Sequence, residues 1–203
     1  MVDRSVLRGQ NAGAVTGSPR DRILTAAHVL FTRRGVNRTG VDLLIATAGV
    51  AKATFYRHFR SKDDLVLAWL HDGRTRWFDR VRMLAESAGD HPDVQILAVY
   101  EAAANWLEGA DYRGCPYLNT AVELDDPQGR AAESIRAHIA EIGGFFGERT
   151  AAAGYRDAAA LARELHALLA GSIALGVVNR TSAHALAARD AAARLLGSQA
   201  SSD

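Results

Sequence analysis

Lys52, Thr54, Tyr56, Arg57 and His58 fall within one short run, Lys52-Ala53-Thr54-Phe55-Tyr56-Arg57-His58-Phe59. An ammonium, a hydroxyl, a phenol, a guanidinium and an imidazole all donate hydrogen bonds, and no carboxylate interrupts them. Wound as a helix, the run places Phe55 and Phe59, four apart, on one face. The donors are left to point the other way. Phosphate oxygens and the acceptors on base edges want such a set, whereas a merely solvated helix would mix in acids. Lys52 opens this helix, against the positive end of its dipole, so an anion is expected beside it in the working complex. Ala53, nearly without a side chain, would let the helix sit close to a groove. An ordinary amphipathic surface helix is the competing reading.

Such a rod must be held by its neighbours. Ala48-Gly49-Val50-Ala51 reads as the short glycine-containing turn between two helices, Gly49 taking the positive φ and Val50 plugging the angle. Ser18-Pro19-Arg20-Asp21, Thr39-Gly40-Val41-Asp42 and Ser61-Lys62-Asp63-Asp64 each offer a hydroxyl N-cap with a carboxylate three residues on. They predict helix starts near 19, 41 and 62. Ile23, Ala26, Ala27, Leu30 and Phe31 share one face of the first helix, and Gly35 reads as a left-handed cap that ends it. The second runs over 41–48 and the third over about 52–58.

The charge is divided along the chain. Residues 1–62 carry 11 Lys and Arg against Asp3, Asp21 and Asp42, a balance of +8 hidden in a net +1. Residues 63–203 carry 13 basic and 20 acidic residues, a balance of −7. A basic third on an acidic remainder is the footprint of a segment that meets a polyanion, with a solvated basic face as the blander alternative. Lys52 and Lys62 are the only lysines.

The remainder reads as helix too. Four prolines interrupt no long apolar pattern, and no stretch alternates as a strand would. A long helix is predicted over 61–87, then helices over 92–110, 116–124, 128–153, 157–178 and 182–196. The longest mostly apolar stretch, residues 167–178, is shorter than the roughly 20 residues a membrane span needs, and residues 1–17 lack an apolar signal core. The single cysteine, Cys115, excludes an internal disulfide framework, and seven scattered histidines form no i,i+4 metal pair. No cofactor or metal is expected. Neither a phosphate-cradling loop nor a nucleophile motif is present, which leaves an enzyme in a helical fold the least favoured function. A cytoplasmic location with no membrane partner is expected.

Arg22-Ile23-Leu24-x-Ala26-Ala27-x-x-Leu30-Phe31-x-x-x-Gly35, Thr39-x-Val41 and Ala48-Gly49-Val50-x-Lys52-x-Thr54-Phe55-Tyr56-x-His58-Phe59-x-Ser61-Lys62-x-x-Leu65 together resemble the DNA-binding domain of the tetracycline-repressor (TetR) family. The resemblance covers about residues 20–70; Arg113-Gly114-Cys115-Pro116-Tyr117-Leu118-Asn119 is similar to a stretch in some members' ligand domains. It implies an all-α fold of about nine helices. In it, a flexible arm (1–17) leads to a helix-turn-helix domain (18–62), joined by a long helix to a ligand-binding and dimerisation domain (63–203). It also implies a homodimer on a near-palindromic double-stranded DNA operator, with a small-molecule effector that changes the spacing of the recognition helices.

Carried over by position, Lys52, Thr54 and Arg57 fall where members meet bases or nearby backbone, with Ala53 among them at the groove. Thr39, Tyr56, His58 and Lys62 fall where members hold phosphates. Arg57, with its planar fork, is the candidate for a bidentate guanine contact. Three positions depart from the family pattern: Asp42 where members often carry Arg, Ile45 where Ala is usual, and Ala51 for a common Ser. Asp42 is read as the capping partner of Thr39. Losing a Ser cap at Ala51 costs about 1 kcal/mol.

Within this resemblance Trp69, Trp77, Tyr100, Trp106, Tyr117 and Phe145, with Asn105, Asn119 and Glu123 as polar anchors, are candidates to line an effector pocket; core packing is the alternative for each. The apolar 157–178 and 182–196 segments are expected to pair with their twofold mates through Leu161, Leu165, Leu168, Leu169, Leu186 and Leu195. The expected function is a dimeric repressor released by an amphipathic or apolar effector. A ligand-independent regulator or activator with a filled core is the alternative.

Overall fold

The computed structural model describes residues 17–109, 112–124 and 126–200, and every regular element in them is a helix. The expected arm, residues 1–17, lies outside the described residues except for Gly17. In chain order the helices are α1 (Pro19–Arg34), α2 (Val41–Ala48), α3 (Lys52–His58), α4 (Lys62–Ala88), α5 (Pro92–Leu107), α6 (Pro116–Glu123), α7 (Arg130–Ala152), α8 (Ala158–Asn179) and α9 (Ala183–Ala200). Two compact units part between Leu65 and Val66.

In the first unit, α1, α2 and α3 pack pairwise. The Ser18 hydroxyl accepts the Asp21 amide at 3.3 Å, and the Asp21 carboxylate accepts the Ser18 amide at 3.2 Å, so two orphan donors are satisfied reciprocally. Pro19 occupies the first helical position, where no partner is lost. Ile23, Ala26, Ala27, Leu30 and Phe31 are buried, as their spacing predicts. Leu44, Ala48, Phe55 and Phe59 close the core from α2, α3 and the residue after it. Gly49 stands at φ 61°, ψ 40°, the left-handed conformation that L side chains resist. Gly35 also has positive φ, at 85°, but its ψ of 164° places it outside the left-handed helical region, in a conformation that likewise favours glycine.

Thr39 does not cap α2. Gly40 is the cap residue, with no side-chain hydrogen bond, and the Thr39 hydroxyl donates backward to the Gly35 carbonyl at 2.7 Å. The fully buried Thr39 side chain satisfies the α1–α2 connection instead, so the expected pairing with Asp42 is corrected. At α4 the expected cap is present: the Ser61 hydroxyl accepts the Asp64 amide at 3.1 Å.

The second unit buries Ile96, Val99, Tyr100 and Ala103 of α5 against Phe146 of α7, Leu161, Leu165 and Leu169 of α8, and Ala185, Ala192 and Leu196 of α9. Small residues let these helices come close. At Gly176 of α8 a Cβ would stand 2.7 and 2.8 Å from the Leu107 methyls and 3.1 Å from the Thr181 carbonyl oxygen. Among the described residues α8 is the one helix long and apolar enough to cross a membrane, with a mean hydropathy of 1.5. Its apolarity extends beyond the 167–178 stretch because Leu161, Leu165 and Leu169 belong to the same face, and that face is buried in the core.

Candidate nucleic-acid interface

Phe55 is fully buried and Phe59 nearly so, their ring centroids 6.2 Å apart. Burying a phenylalanine side chain contributes on the order of 2 kcal/mol, enough to fix which face of a two-turn helix turns inward. The Arg20 guanidinium lies 5.5 Å from the Phe59 ring centroid and tethers the end of the unit to α1. With the phenylalanines committed, Lys52, Ala53, Tyr56 and Arg57 are exposed and Thr54 is half-buried. Tyr56 leans edge-on to Phe55 at 5.3 Å, which steadies the ring of a residue otherwise facing solvent. Lys62, opening α4, is half-exposed.

Two expected phosphate ligands are placed differently. Thr39 is sealed in the core and its hydroxyl proton is committed to Gly35, so it has no route to a phosphate. His58 is half-buried, and its Nε2 is covered by protein with no hydrogen-bond partner, so that nitrogen is closed to the outside.

In the free chain an anion already stands beside Lys52. Asp42, in the first turn of α2, holds an Oδ1 at 3.8 Å from the Lys52 Nζ, with both side chains well exposed. Sequence reasoning assigned Asp42 to Thr39 and missed this pair. Ten positions of separation hide it, and only the angle set by Gly49 brings the two helix starts together.

In the second unit the expected pocket residues do not converge as a single set. Tyr100 is fully buried and donates its phenol to the Leu165 carbonyl at 2.7 Å, which makes it core. Asn105 is exposed, and exposed Asn119 holds the Arg113 carbonyl at 2.8 Å. Trp69 is buried, while Glu123 is half-exposed. The remaining aromatics form separate groups. Trp77, Trp106 and Tyr112 pack in sequence, the first pair tilted and the second edge-on, with centroids 5.4 and 4.8 Å apart. Phe145 carries the Arg149 guanidinium 3.7 Å from its centroid. Tyr117 is stacked on His138, centroids 3.5 Å apart, and donates its phenol to the Leu70 carbonyl.

His138 and Tyr112 were not anticipated. His138 is 2% exposed, and its Nδ1 has no partner. Burial, then the Arg74 charge and then His166 lower its pKa to about 4, so the imidazole is neutral at pH 7. The Tyr112 hydroxyl is likewise buried without a partner; burial first, then Cys115, raises its pKa. The available signal for His138 was its spacing with Ile135 and Ile142 on the inner stripe of α7.

Two clefts among the described residues of the second unit are lined by other residues than the nine expected ones. A groove of about 1080 Å³ runs between α8 and α9, bordered by Leu168, Gly171, Leu175, Ala191 and Leu195 among others. A smaller cleft of about 510 Å³ lies between the end of α5 and the α8–α9 turn. Of the expected interface leucines, Leu168 and Leu195 border the groove. Leu161, Leu165 and Leu169 are buried in the core, and Leu186 is 47% exposed outside the groove. The correction is one of helical phase: the apolar residues of α8 divide between an inner and an outer stripe.

Comparison with known proteins agrees with this architecture. Residues 23–69 match the family described as bacterial regulatory proteins, tetR family, and residues 92–192 match the tetracyclin repressor-like C-terminal domain. A TetR-family regulator from Streptomyces coelicolor is similar in structure, with a TM-score of 0.84 and 29% identity over 89% of this chain and 95% of that one. A second solved structure, of a TetR regulator from Streptomyces avermitilis, is 30% identical over 87% and 98% of the two chains, with a TM-score of 0.72. The HTH-type transcriptional repressor NemR of Escherichia coli (strain K12) is 29% identical over 53% of this chain and 54% of its own length. The chain thus spans about half the length of the curated relatives it matches. Such proteins are DNA-binding transcriptional regulators and not enzymes. With a helix-turn-helix presenting donors over a buried aromatic pair, and with both halves matching family domains, this chain belongs to the TetR family of transcriptional regulators.

Proposed function

We propose that the chain is a cytoplasmic homodimeric repressor that binds a near-palindromic operator through α3 and leaves it when a small molecule binds the second unit. The observation that carries this is the outer face of α3, where Lys52, Tyr56 and Arg57 stand exposed over buried Phe55 and Phe59. In this reading Arg57 reads a guanine, and Lys52, Ala53 and Thr54 approach neighbouring bases. Tyr56 and Lys62 hold phosphates and set register without carrying sequence information. Thr39 and His58 Nε2 take no part.

Dimerisation through the α8–α9 groove is supported by its apolar border, which would be covered by its twofold copy. Effector binding is supported by the unpartnered Tyr112 hydroxyl, a buried polar atom whose residue borders the smaller cleft. A lone phenol beside aromatic rings suits an amphipathic molecule with one polar edge. An effector that binds the released conformation more tightly lowers operator affinity by that difference.

The test is binding of the purified full chain to DNA flanking its own coding region, followed by a screen for compounds that release it. Selective binding weakened by Arg57→Ala, with the preference relaxed at one base pair, supports the reading, and indifference to every duplex at low salt refutes it. A second reading, a regulator that needs no ligand, is favoured by Tyr100, whose satisfied hydroxyl fills the core where a pocket was expected. A thermal midpoint that never moves with apolar compounds would select it.

A further inference from the structure

We propose that Asp42 is a specificity-determining residue: its carboxylate occupies the Lys52 ammonium in the unbound protein and yields it only to a matching base edge. The inference rests on α3 being the reading helix, and adds a device to it.

Lys52 begins α3 behind Ala51, which offers no side-chain acceptor, so the ammonium faces the positive end of the helix with nothing on its own element to balance it. Asp42 sits in the first turn of α2, where a carboxylate is favoured, and 3.8 Å from that ammonium. Gly40 caps α2 without a side chain and Thr39 is turned inward to Gly35, so the Asp42 carboxylate is not consumed at its own helix start. Asp21, by contrast, is committed to Ser18.

An ion pair this exposed is close to neutral in energy in water and exchanges readily. Its effect appears when a duplex approaches. Paired with Asp42, Lys52 adds no net attraction to phosphate, because the carboxylate's repulsion cancels it. On an arbitrary sequence the lysine's contribution is therefore lost. On a matched sequence, guanine O6 and N7 replace the carboxylate as acceptors and Lys52 contributes again. Penalising the wrong partner in this way raises discrimination without any added contact to the right one.

The test uses the full chain, a duplex selected by the wild-type protein from a random-sequence pool, and a scrambled duplex of the same composition, with binding followed by fluorescence anisotropy between 50 and 200 mM salt. Asp42→Asn is expected to tighten binding to the scrambled duplex about 3- to 10-fold, to steepen its salt slope by about one, and to tighten the selected duplex less, so that the ratio between them falls. Asp42→Ser, a second variant with its own melting control, should move the ratio the same way. In a Lys52→Gln background the change in ratio should vanish, because no ammonium remains to be freed. Equal gains on both duplexes, no gain on either, or a loss of ratio that persists in the Lys52→Gln background overturns the proposal. If Arg57→Ala relaxes selection while Asp42→Asn is silent, this inference alone fails. A wild-type chain that selects no sequence overturns the reading-helix assignment as well.

Discussion

The Tyr117 ring lies flat on the His138 imidazole, planes 14° apart, while the phenol is fixed to the Leu70 carbonyl of α4. The histidine is therefore clamped in a neutral state inside the second unit, with Arg74 nearby disfavouring its charge. Unfolded, His138 takes up a proton near pH 6.5; folded, it does so only near pH 4. Between those values acid draws protons into the unfolded chain, so stability is complete above about pH 6.5 and declines as the pH falls toward 4. The decline is on the order of 3 kcal/mol. Denaturant melts at pH 7 and 4.5 should show it, and His138→Leu should flatten the dependence.

Arg57→Ala is expected to weaken operator binding by roughly 1–3 kcal/mol and to relax the preference at one base pair. Lys62→Ala should weaken all sequences alike and reduce the salt slope by about one. Anisotropy titrations on matched and mutated duplexes separate the two patterns. If the two variants behave identically, their assigned roles are wrong.

Thr39→Val tests the inward placement of that side chain. Losing the hydroxyl leaves the Gly35 carbonyl short of a partner and costs about 1 kcal/mol of stability. The salt slope on DNA should stay as it is. A slope reduced by one would return Thr39 to the phosphate contacts.

Leu168→Glu and Leu195→Glu together place like charges along the α8–α9 groove and should give a folded monomer in sedimentation velocity. Leu165→Ala should behave differently, costing about 2–5 kcal/mol of stability through a core cavity. A double variant that sediments as the wild type would move the interface elsewhere.

The first unit was largely legible because its determinants are local. Ser18 and Asp21 are three apart, Phe55 and Phe59 four apart, and Gly49 lies in the turn it makes possible. Where two options competed locally, the sequence could not choose: Thr39 could cap forward onto α2 or bond backward to Gly35, and burial decided for the latter. In the second unit the helices were legible and their phases were not. Leu165 and Leu168 are chemically alike and one helical turn apart, yet one is core and the other borders a groove, a distinction set by α5, α7 and α9. Tyr100 looked like a pocket residue because nothing in the sequence marks the Leu165 carbonyl as its partner. The Asp42–Lys52 pair was hidden because it joins two helices across a turn.

Gly176 leaves the chain a narrow evolutionary path at one place. Leu107 already occupies the volume where a methyl would go, so alanine at 176 demands that the Leu107 side chain swing aside or shorten. Descendants of this sequence can exchange the exposed residues of α8 freely, but any side chain gained at 176 must first be given room by the residue at 107.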